Sequence, residues 1–343
     1  MKSASVLARG FFGALLALLV LIGLVLLLLW FWPIGLDSLA APSDAQVTYA
    51  EAVAAAETAT QDEGDVVHSL CHTRVVTSGA KTENVAVIFH GLCTCPQQFA
   101  DVADALHADG WNVLLVRLPY HGMADRLSEA PAAMKAEEVL REAGHWIDVA
   151  QGLGDQVTVV GFSGGGAVAA YLANMRSDID RVVMAAPMLG VQAFPVDLTR
   201  PISTLAHFVP NWWGWFNPER KENVEGPAYT YPRYSSRTLA EFLRIGLQSA
   251  AHAQATAPAV ADIRVLINAN DESVRNEMAH VIAAAWAQKG AEVKLHEFPT
   301  STGLKHDMID PGQPYEKVDV VYPVLLDAIM EVAFPSRAAP ETQ

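Results

Sequence analysis

Basic residues are scarce in this chain. Lys and Arg number 23 against 38 Asp and Glu in 343 residues, a formal net charge of −15. Gripping a phosphate backbone takes a clustered basic face, and none can be picked out, so a nucleic-acid partner is excluded. Cysteine is scarcer still, with Cys71, Cys93 and Cys95 confined to one short stretch. A Cys-Thr-Cys pair with no third and fourth ligand at the usual intervals does not make a zinc site, and neither a metal nor an organic cofactor is expected. Internal repeats are lacking too. The composition is half hydrophobic, which argues against disorder and suits one α/β domain of roughly 250–270 residues with an appendage.

The appendage announces itself at the amino terminus, where Phe11 to Trp32 run without a polar interruption between Arg9 and Asp37. As a helix this run spans about 33 Å, enough to cross a bilayer. A cleaved signal peptide, with Ser38-Leu39-Ala40 as its cleavage site, is the competing reading, but secretory apolar cores usually run only ~7–15 residues. A retained transmembrane anchor over 11–32 is therefore expected. Lys2 and Arg9 precede the span, whereas Asp37, Asp44, Glu51, Glu57, Asp62, Glu63 and Asp65 follow it with no Lys or Arg before Arg74. That asymmetry keeps residues 1–10 in the cytoplasm and puts the rest outside, in the periplasm of a Gram-negative cell, with Trp30 and Trp32 at the outer interface. In an oxidising compartment three cysteines suggest one disulfide and one spare thiol. Residues 33–70, rich in Ala, Asp and Glu, read as a stalk with a short helix between Tyr49 and Thr58.

From Cys71 the pattern alternates. Val85–Phe89, Asn112–Leu118, Val157–Val160, Arg181–Ala185, Ile263–Asn268 and Val293–Phe298 are apolar runs of strand length. Helical stretches lie between and after them: Gln97–Ala108, Ala136–Gln151, Gly165–Met175, Arg275–Lys289 and Lys317–Val332. In the second, Val139, Leu140, Ala143, Trp146, Ile147 and Ala150 share one face; in the fourth, Met278, Val281, Ile282, Ala285 and Trp286 do. Continuous apolar strands mean burial on both faces, hence a mostly parallel, doubly wound sheet whose sites lie at the strands' carboxyl ends. One interval, about 188–260, is too long for a structureless loop and is read as a cap with its best helix at Arg237–Gln254. The domain is expected over 71–335, with a tail at 336–343.

Chemistry concentrates at strand ends. Gly161-Phe162-Ser163-Gly164-Gly165 turns a strand sharply into a small-residue helix, the setting of a nucleophilic serine flanked by Gly161 and Gly165. Such a serine needs a base and a group to orient that base. His280 falls in an amphipathic helix and His296 within a strand, whereas His306 follows a strand in a polar loop, which makes it the candidate base. Asp271 ends the strand Ile263–Asn268 and is the candidate orienting acid; Glu272 should point to solvent, and Asp307 is too close in sequence to His306. The oxyanion donors should be the N–H groups of Gly164 and of Leu92, the latter in the loop His90-Gly91-Leu92, where His90 is read as a structural hydrogen-bonder.

These four strand ends, in the order Ser, Asp, His, resemble the α/β-hydrolase family over about residues 70–335. Leu118-Pro119-Tyr120-His121-Gly122 is similar to a loop of serine esterases and monoacylglycerol-lipase-like members. His90–Phe99 and Tyr229–Gly246 resemble a bacterial membrane-anchored subgroup in which a cysteine upstream of the oxyanion loop and one before its proline occur together. That resemblance implies a Cys71–Cys95 disulfide with Cys93 free. Ser163 stands where dehalogenases and epoxide hydrolases carry Asp, and His90-Gly91-Leu92 has fewer glycines than the HGGG lipases.

The expected activity is hydrolysis of an apolar-acyl ester through an acyl-enzyme, with lipid-derived esters among the expected substrates. Acyl transfer or peptide cleavage would use the same residues. A non-catalytic anchored binding protein is the other class, and it would be expected to have lost a member of the set. The aromatics Trp212–Phe216 are read as a small cap core or as an acyl-binding surface.

Overall fold

The computed structural model describes residues 2–43 and 46–330. After the apolar helix α1 (Lys2–Trp30) and α2 (Tyr49–Glu63) come β1 (Arg74–Val76), β2 (Thr82–Phe89), α3 (Ala100–Ala108), β3 (Asn112–Val116), α4 (Ala136–Ala150), β4 (Gly154–Phe162), α5 (Gly164–Met175) and β5 (Arg181–Ala185). An excursion follows through α6 (Val196–Ala206) and a small hairpin, β6 (Trp213–Trp215) with β7 (Arg233–Ser235), before α7 (Ser236–Ala255) returns to the sheet. β8 (Asp262–Asn268), α8 (Asn276–Gln288), β9 (Glu292–Phe298) and α9 (Val318–Met330) complete the described chain.

The main sheet has the order β1-β3-β2-β4-β5-β8-β9. All neighbours are parallel except β1, a three-residue edge strand antiparallel to β3 that was too short for the sequence pattern to reveal. Val85–Phe89, Val113–Val116 and Val157, Val159 and Val160 are fully buried, since helices cover both faces. On α4 the six residues expected on one face are all buried, whereas on α8 Val281 is exposed although Ile282, Ala285 and Trp286 are not. Every parallel strand ends at the same edge, with Phe89 beside Val116 and Gly161, Phe162 beside Ala185, and Asn268 beside Phe298. The chain turns from one side of β2 to the other there, and this places the crevice.

Three boundaries differ from the sequence expectation. α1 holds the apolar stretch Phe11–Trp30, with mean hydropathy 3.1 and 6 % of its most apolar window buried, long and apolar enough for a signal or a membrane anchor, and it stops two residues before Trp32. Residues 33–43 and α2 are docked rather than forming a loose stalk. Leu36 is fully buried, the Tyr171 hydroxyl donates to the Leu36 carbonyl and accepts from the Leu39 N–H, and the buried Arg176 guanidinium donates to the carbonyls of Ala40 and Ala41. Glu63, at the end of α2, pairs with Arg117 and accepts from the Thr73 N–H and hydroxyl. The low hydrophobicity of the segment hid this, because much of its attachment is backbone carbonyls held by distant side chains. Finally, α7 is a layer helix, not part of the cap. Phe242, Leu243 and Ile245 are buried and Gly246 lies against the Met188 carbonyl and Leu189, so the excursion over the sheet edge is α6 and the hairpin. The expected domain end at 335, the tail 336–343 and the last residues of the helix expected to reach Val332 lie outside the described residues.

Candidate active site

Ser163 sits between β4 and α5 with φ 51° and ψ −109°, a conformation costly for a residue with a Cβ. The flanking glycines show why it can exist. A Cβ on Gly161 would lie 2.2 Å from the Gly165 carbonyl oxygen, and one on Gly165 would lie 2.1 Å from that of Phe89. Backbone packs against backbone here, and the Gly165 N–H also donates to the His90 carbonyl, tying the elbow to the end of β2. Gly165→Ala is therefore expected to destabilise the protein by roughly 3 kcal/mol or more, read as a lowered urea midpoint. A midpoint unchanged from the parent would contradict this packing.

The structure brings Ser163, His306 and Asp271 together. His306 Nε2 is 2.9 Å from Ser163 Oγ, and His306 Nδ1 is 2.7 Å from Asp271 Oδ2. The other Asp271 oxygen accepts from the N–H groups of Ser273 and Val274 at 2.8 and 2.9 Å, so the carboxylate is fixed from both sides. Burial pushes the Asp271 carboxyl up, but the hydrogen bond and charge of His306, with those two N–H groups, outweigh it and hold the group below the ordinary carboxylate range. The separation of 35 positions from Asp271 to His306 is spent on α8 and β9, which carry the chain to the sheet's last strand before the histidine loop turns back. Glu272 is solvent-exposed near Lys305, and His280 and His296 lie on α8 and β9, as their sequence context implied.

The loop after β2 lies beside this group. His90 is fully buried, its Nδ1–H donates to the Gly91 carbonyl and its Nε2 accepts from the Leu118 N–H, which fixes the tautomer. Burial, with the nearby His121 and Arg117, holds its pKa well below the usual histidine value, so it stays neutral. A Cβ on Gly91 would meet the Phe162 ring at 2.8 Å. Leu92 lines the same cleft as Ser163 and His306, and Gly164 is the first residue of α5. Among the described residues no intramolecular hydrogen bond occupies the N–H of either.

A linkage that the sequence did not suggest ties this loop to the histidine loop. Buried Gln98 accepts from the Gly91 N–H at 3.0 Å and donates to Asp307 Oδ1 at 3.0 Å, and Asp307 Oδ2 accepts from Gln313. Asp307 thus faces away from the His306 ring, and burial raises its pKa. Gln98 read as an ordinary residue at a helix start; only the approach of two loops far apart in sequence gives it a role.

Cys71 and Cys95 form a disulfide, and Cys93 is free and buried. The bond ties the segment before β1 to the loop after β2, and Gly122 packs so closely that a Cβ there would lie 2.7 Å from Cys71 Cβ. Closing a loop across 24 residues is worth about 3 kcal/mol. Reduction is expected to lower the melting temperature, and denatured, unreduced protein should alkylate at one thiol, rising to three after reduction; alkylation at three without reduction would contradict the pairing.

The cleft above Ser163 has two lobes that share Leu92, Phe216, Ser273 and His306. One, of about 520 Å3, is walled by Met188, Val191, Trp215, Leu239 and Val274. The other, of about 370 Å3, mixes Thr94, Asn217, Thr230 and Gln313 with Phe162, Val224, Tyr231 and Tyr315. Among the described residues no group of three or more His, Cys, Asp or Glu side chains could hold a metal ion.

Residues 80–309 match the model of the serine aminopeptidase S33 family of α/β hydrolases. The chain belongs to this family. The match covers the sheet from β2 to β9 together with Ser163, Asp271 and His306, and begins after α1, α2 and β1. No protein of curated function matches the sequence significantly. Among solved structures, this hydrolase is similar to a monoglyceride lipase from Saccharomyces cerevisiae, with 13% identity over 76% of this chain and 90% of the other and a TM-score of 0.59. It is also similar to a lipolytic enzyme of the metagenome-derived pair LipS and LipT, with 15% identity over 77% and 98% and a TM-score of 0.58. A Paleococcus ferrophilus monoacylglycerol lipase gives 16% identity over 76% and 100%, with a TM-score of 0.56. At these identities the hydrolase shares their fold.

Proposed function

We propose that this α/β hydrolase cleaves carboxylic esters with an apolar acyl group by way of an acyl-enzyme on Ser163. The observation that carries the reading is the unbroken chain of contacts Ser163 Oγ, His306 and Asp271, at 2.9 and 2.7 Å. In this reading His306 Nε2 takes the Ser163 proton as the oxygen attacks the ester carbonyl, and Asp271 holds the imidazole in the tautomer that leaves Nε2 free to accept. The negative charge that develops on the carbonyl oxygen is met by the N–H groups of Leu92 and Gly164, each worth roughly 3–4 kcal/mol in the transition state. The proton then passes from His306 to the leaving alcohol, and water repeats the sequence on the acyl-enzyme.

The division of the cleft supports the substrate class. An acyl chain belongs in the lobe walled by Met188, Val191 and Val274, and a hydroxylated leaving group in the lobe walled by Thr94, Asn217 and Gln313. The relatives of similar fold whose names describe lipolytic enzymes and monoacylglycerol lipases act on molecules of this kind. The test is a p-nitrophenyl ester series of rising acyl length on the purified full chain, with fluorophosphonate labelling of the same sample. Labelling at Ser163, with kcat/KM rising from acetate to a medium chain, is expected. A sample that neither labels nor turns over any ester would end the reading.

A further inference from the structure

α6 is built inside out. Its buried residues are Thr199, Pro201 and Ser203, none of them a large apolar side chain, and His207, just past the helix, meets the buried Glu241 carboxylate at 3.2 Å. Leu198, Leu205 and Phe208 point outward and are 41 %, 42 % and 58 % exposed. Leu198, Ile202 and Leu205 are spaced as one stripe along the helix, and Phe208 follows in the turn just past its end. A helix packed on a protein in water carries the opposite pattern, apolar inward and polar outward. The reversal is favourable where the medium outside is itself apolar.

α1 indicates that medium. The Trp32 ring, just beyond α1, lies edge-on to Phe208 with centroids 5.1 Å apart, and the Arg200 guanidinium donates to the Trp32 carbonyl at 2.9 Å. The docking of residues 34–41 through Leu36, Tyr171, Arg176 and Arg244 makes this junction a fixed one. The next exposed aromatics along the chain are Trp212 and Phe216, both more than half exposed and both against the Tyr234 ring. Phe216 lines both lobes of the cleft above Ser163. Arg200, with no carboxylate partner among the described residues, stands on the face of α6 turned toward Trp32, the pairing suited to headgroup depth.

We infer that the outward stripe of α6 and the aromatics that follow it lie on the bilayer holding α1, so that the cleft receives its ester sideways from the membrane. The inference rests on α1 being a membrane anchor and, for its catalytic consequence, on the ester hydrolysis proposed above. The bilayer is chosen over a second copy of the chain because the stripe is continuous with a helix whose apolar surface is already suited to lipid.

The test uses the full chain, one copy per nanodisc, with an environment-sensitive fluorophore on Leu21→Cys, Leu205→Cys or Glu83→Cys. Glu83 is exposed at the amino end of β2, the edge opposite the cleft. Cys71 and Cys95 are bonded and Cys93 is buried, which leaves the introduced thiol as the reactive one. Lipids carrying a nitroxide on the acyl chain are expected to quench the probes at 21 and 205 and not at 83. Quenching at 21 without quenching at 205 overturns the inference while the anchor stands. Absence of quenching at 21 removes the anchor and the inference with it, and shielding of 205 only with two copies per disc assigns the stripe to a dimer instead. In parallel, Leu205→Glu with Phe208→Glu is expected to lower kcat/KM about tenfold on a long-chain monoester embedded in the disc, and to change it less than twofold on soluble p-nitrophenyl butyrate. An equal loss on both substrates overturns sideways delivery. Failure of the parent to hydrolyse p-nitrophenyl butyrate overturns the ester reading, while the quenching result keeps its own meaning.

Discussion

Ser163→Ala is expected to lower kcat on a p-nitrophenyl ester by roughly 10^5-fold or more and to abolish fluorophosphonate labelling. The size follows from what the hydroxyl does in the proposed mechanism. It supplies the bond that splits one difficult step into two, and no other side chain of comparable nucleophilicity is placed to replace it: Cys93, in the neighbouring loop, is buried, and its burial pushes the thiol pKa up. The fold should persist, because among the described residues the side-chain hydrogen bond of Ser163 is to His306, and the elbow is held by backbone contacts through Gly161, Gly165 and the Ala185 carbonyl. A melting temperature at or above that of the parent, measured by circular dichroism, is the companion result. Residual activity over water would come from the oxyanion donors and binding alone. Activity within tenfold of the parent would remove Ser163 from the chemistry.

Asp271→Asn is expected to cost about 10^4-fold in kcat with little change in KM. The substitution isolates one property. The asparagine oxygen can still accept from the Ser273 and Val274 N–H groups, so the loop keeps its shape. Its amide nitrogen, however, would face His306 Nδ1, and a donor there forces the imidazole proton onto Nε2, where it can no longer accept from Ser163. Asp307→Asn is the control. Its partners are Gln98 and Gln313 rather than the His306 ring, so a loss under tenfold is expected. Should the Asp307 variant lose more activity than the Asp271 variant, the orienting acid has been misassigned. Stability carries a second signature of Asp271. A carboxyl held below its unfolded value contributes stability above the unfolded pKa of about 3.9 and loses it as pH falls through the native value. The stability difference between parent and Asp271→Asn should therefore narrow only under acid conditions.

Much of the framework was legible from periodicity. The six runs became six parallel strands; in the five inner ones burial on both faces keeps most positions apolar, whereas the edge strand β9, with Lys294, His296 and Glu297, is half-buried, and α4 buried the face its spacing indicated. The Gly-Phe-Ser-Gly-Gly turn was legible for a different reason: a Cβ at Gly161 or Gly165 would fall about 2 Å from a carbonyl oxygen, so only glycine fits and a local string reports a tertiary contact. His306 and Asp271 were legible because each lies in the loop that follows a strand, and parallel strands deliver their ends to one edge. β1 was missed because three residues hold too little pattern. The docking of residues 33–43 was missed because carbonyls carry much of it, and every sequence has carbonyls.

By itself, then, the sequence determined the class of sheet, the elbow, the order of the residues gathered at its edge and the apolar helix ahead of them, since each depends on local spacing or on a steric limit. The tertiary structure alone decided that Gln98 joins two loops 200 residues apart, that α7 belongs to the layer and α6 to the cap, and that α6 turns its leucines outward beside Trp32. Those facts concern which face meets which neighbour. A helix's periodicity names its two faces, and only packing says which of them is turned away from the protein.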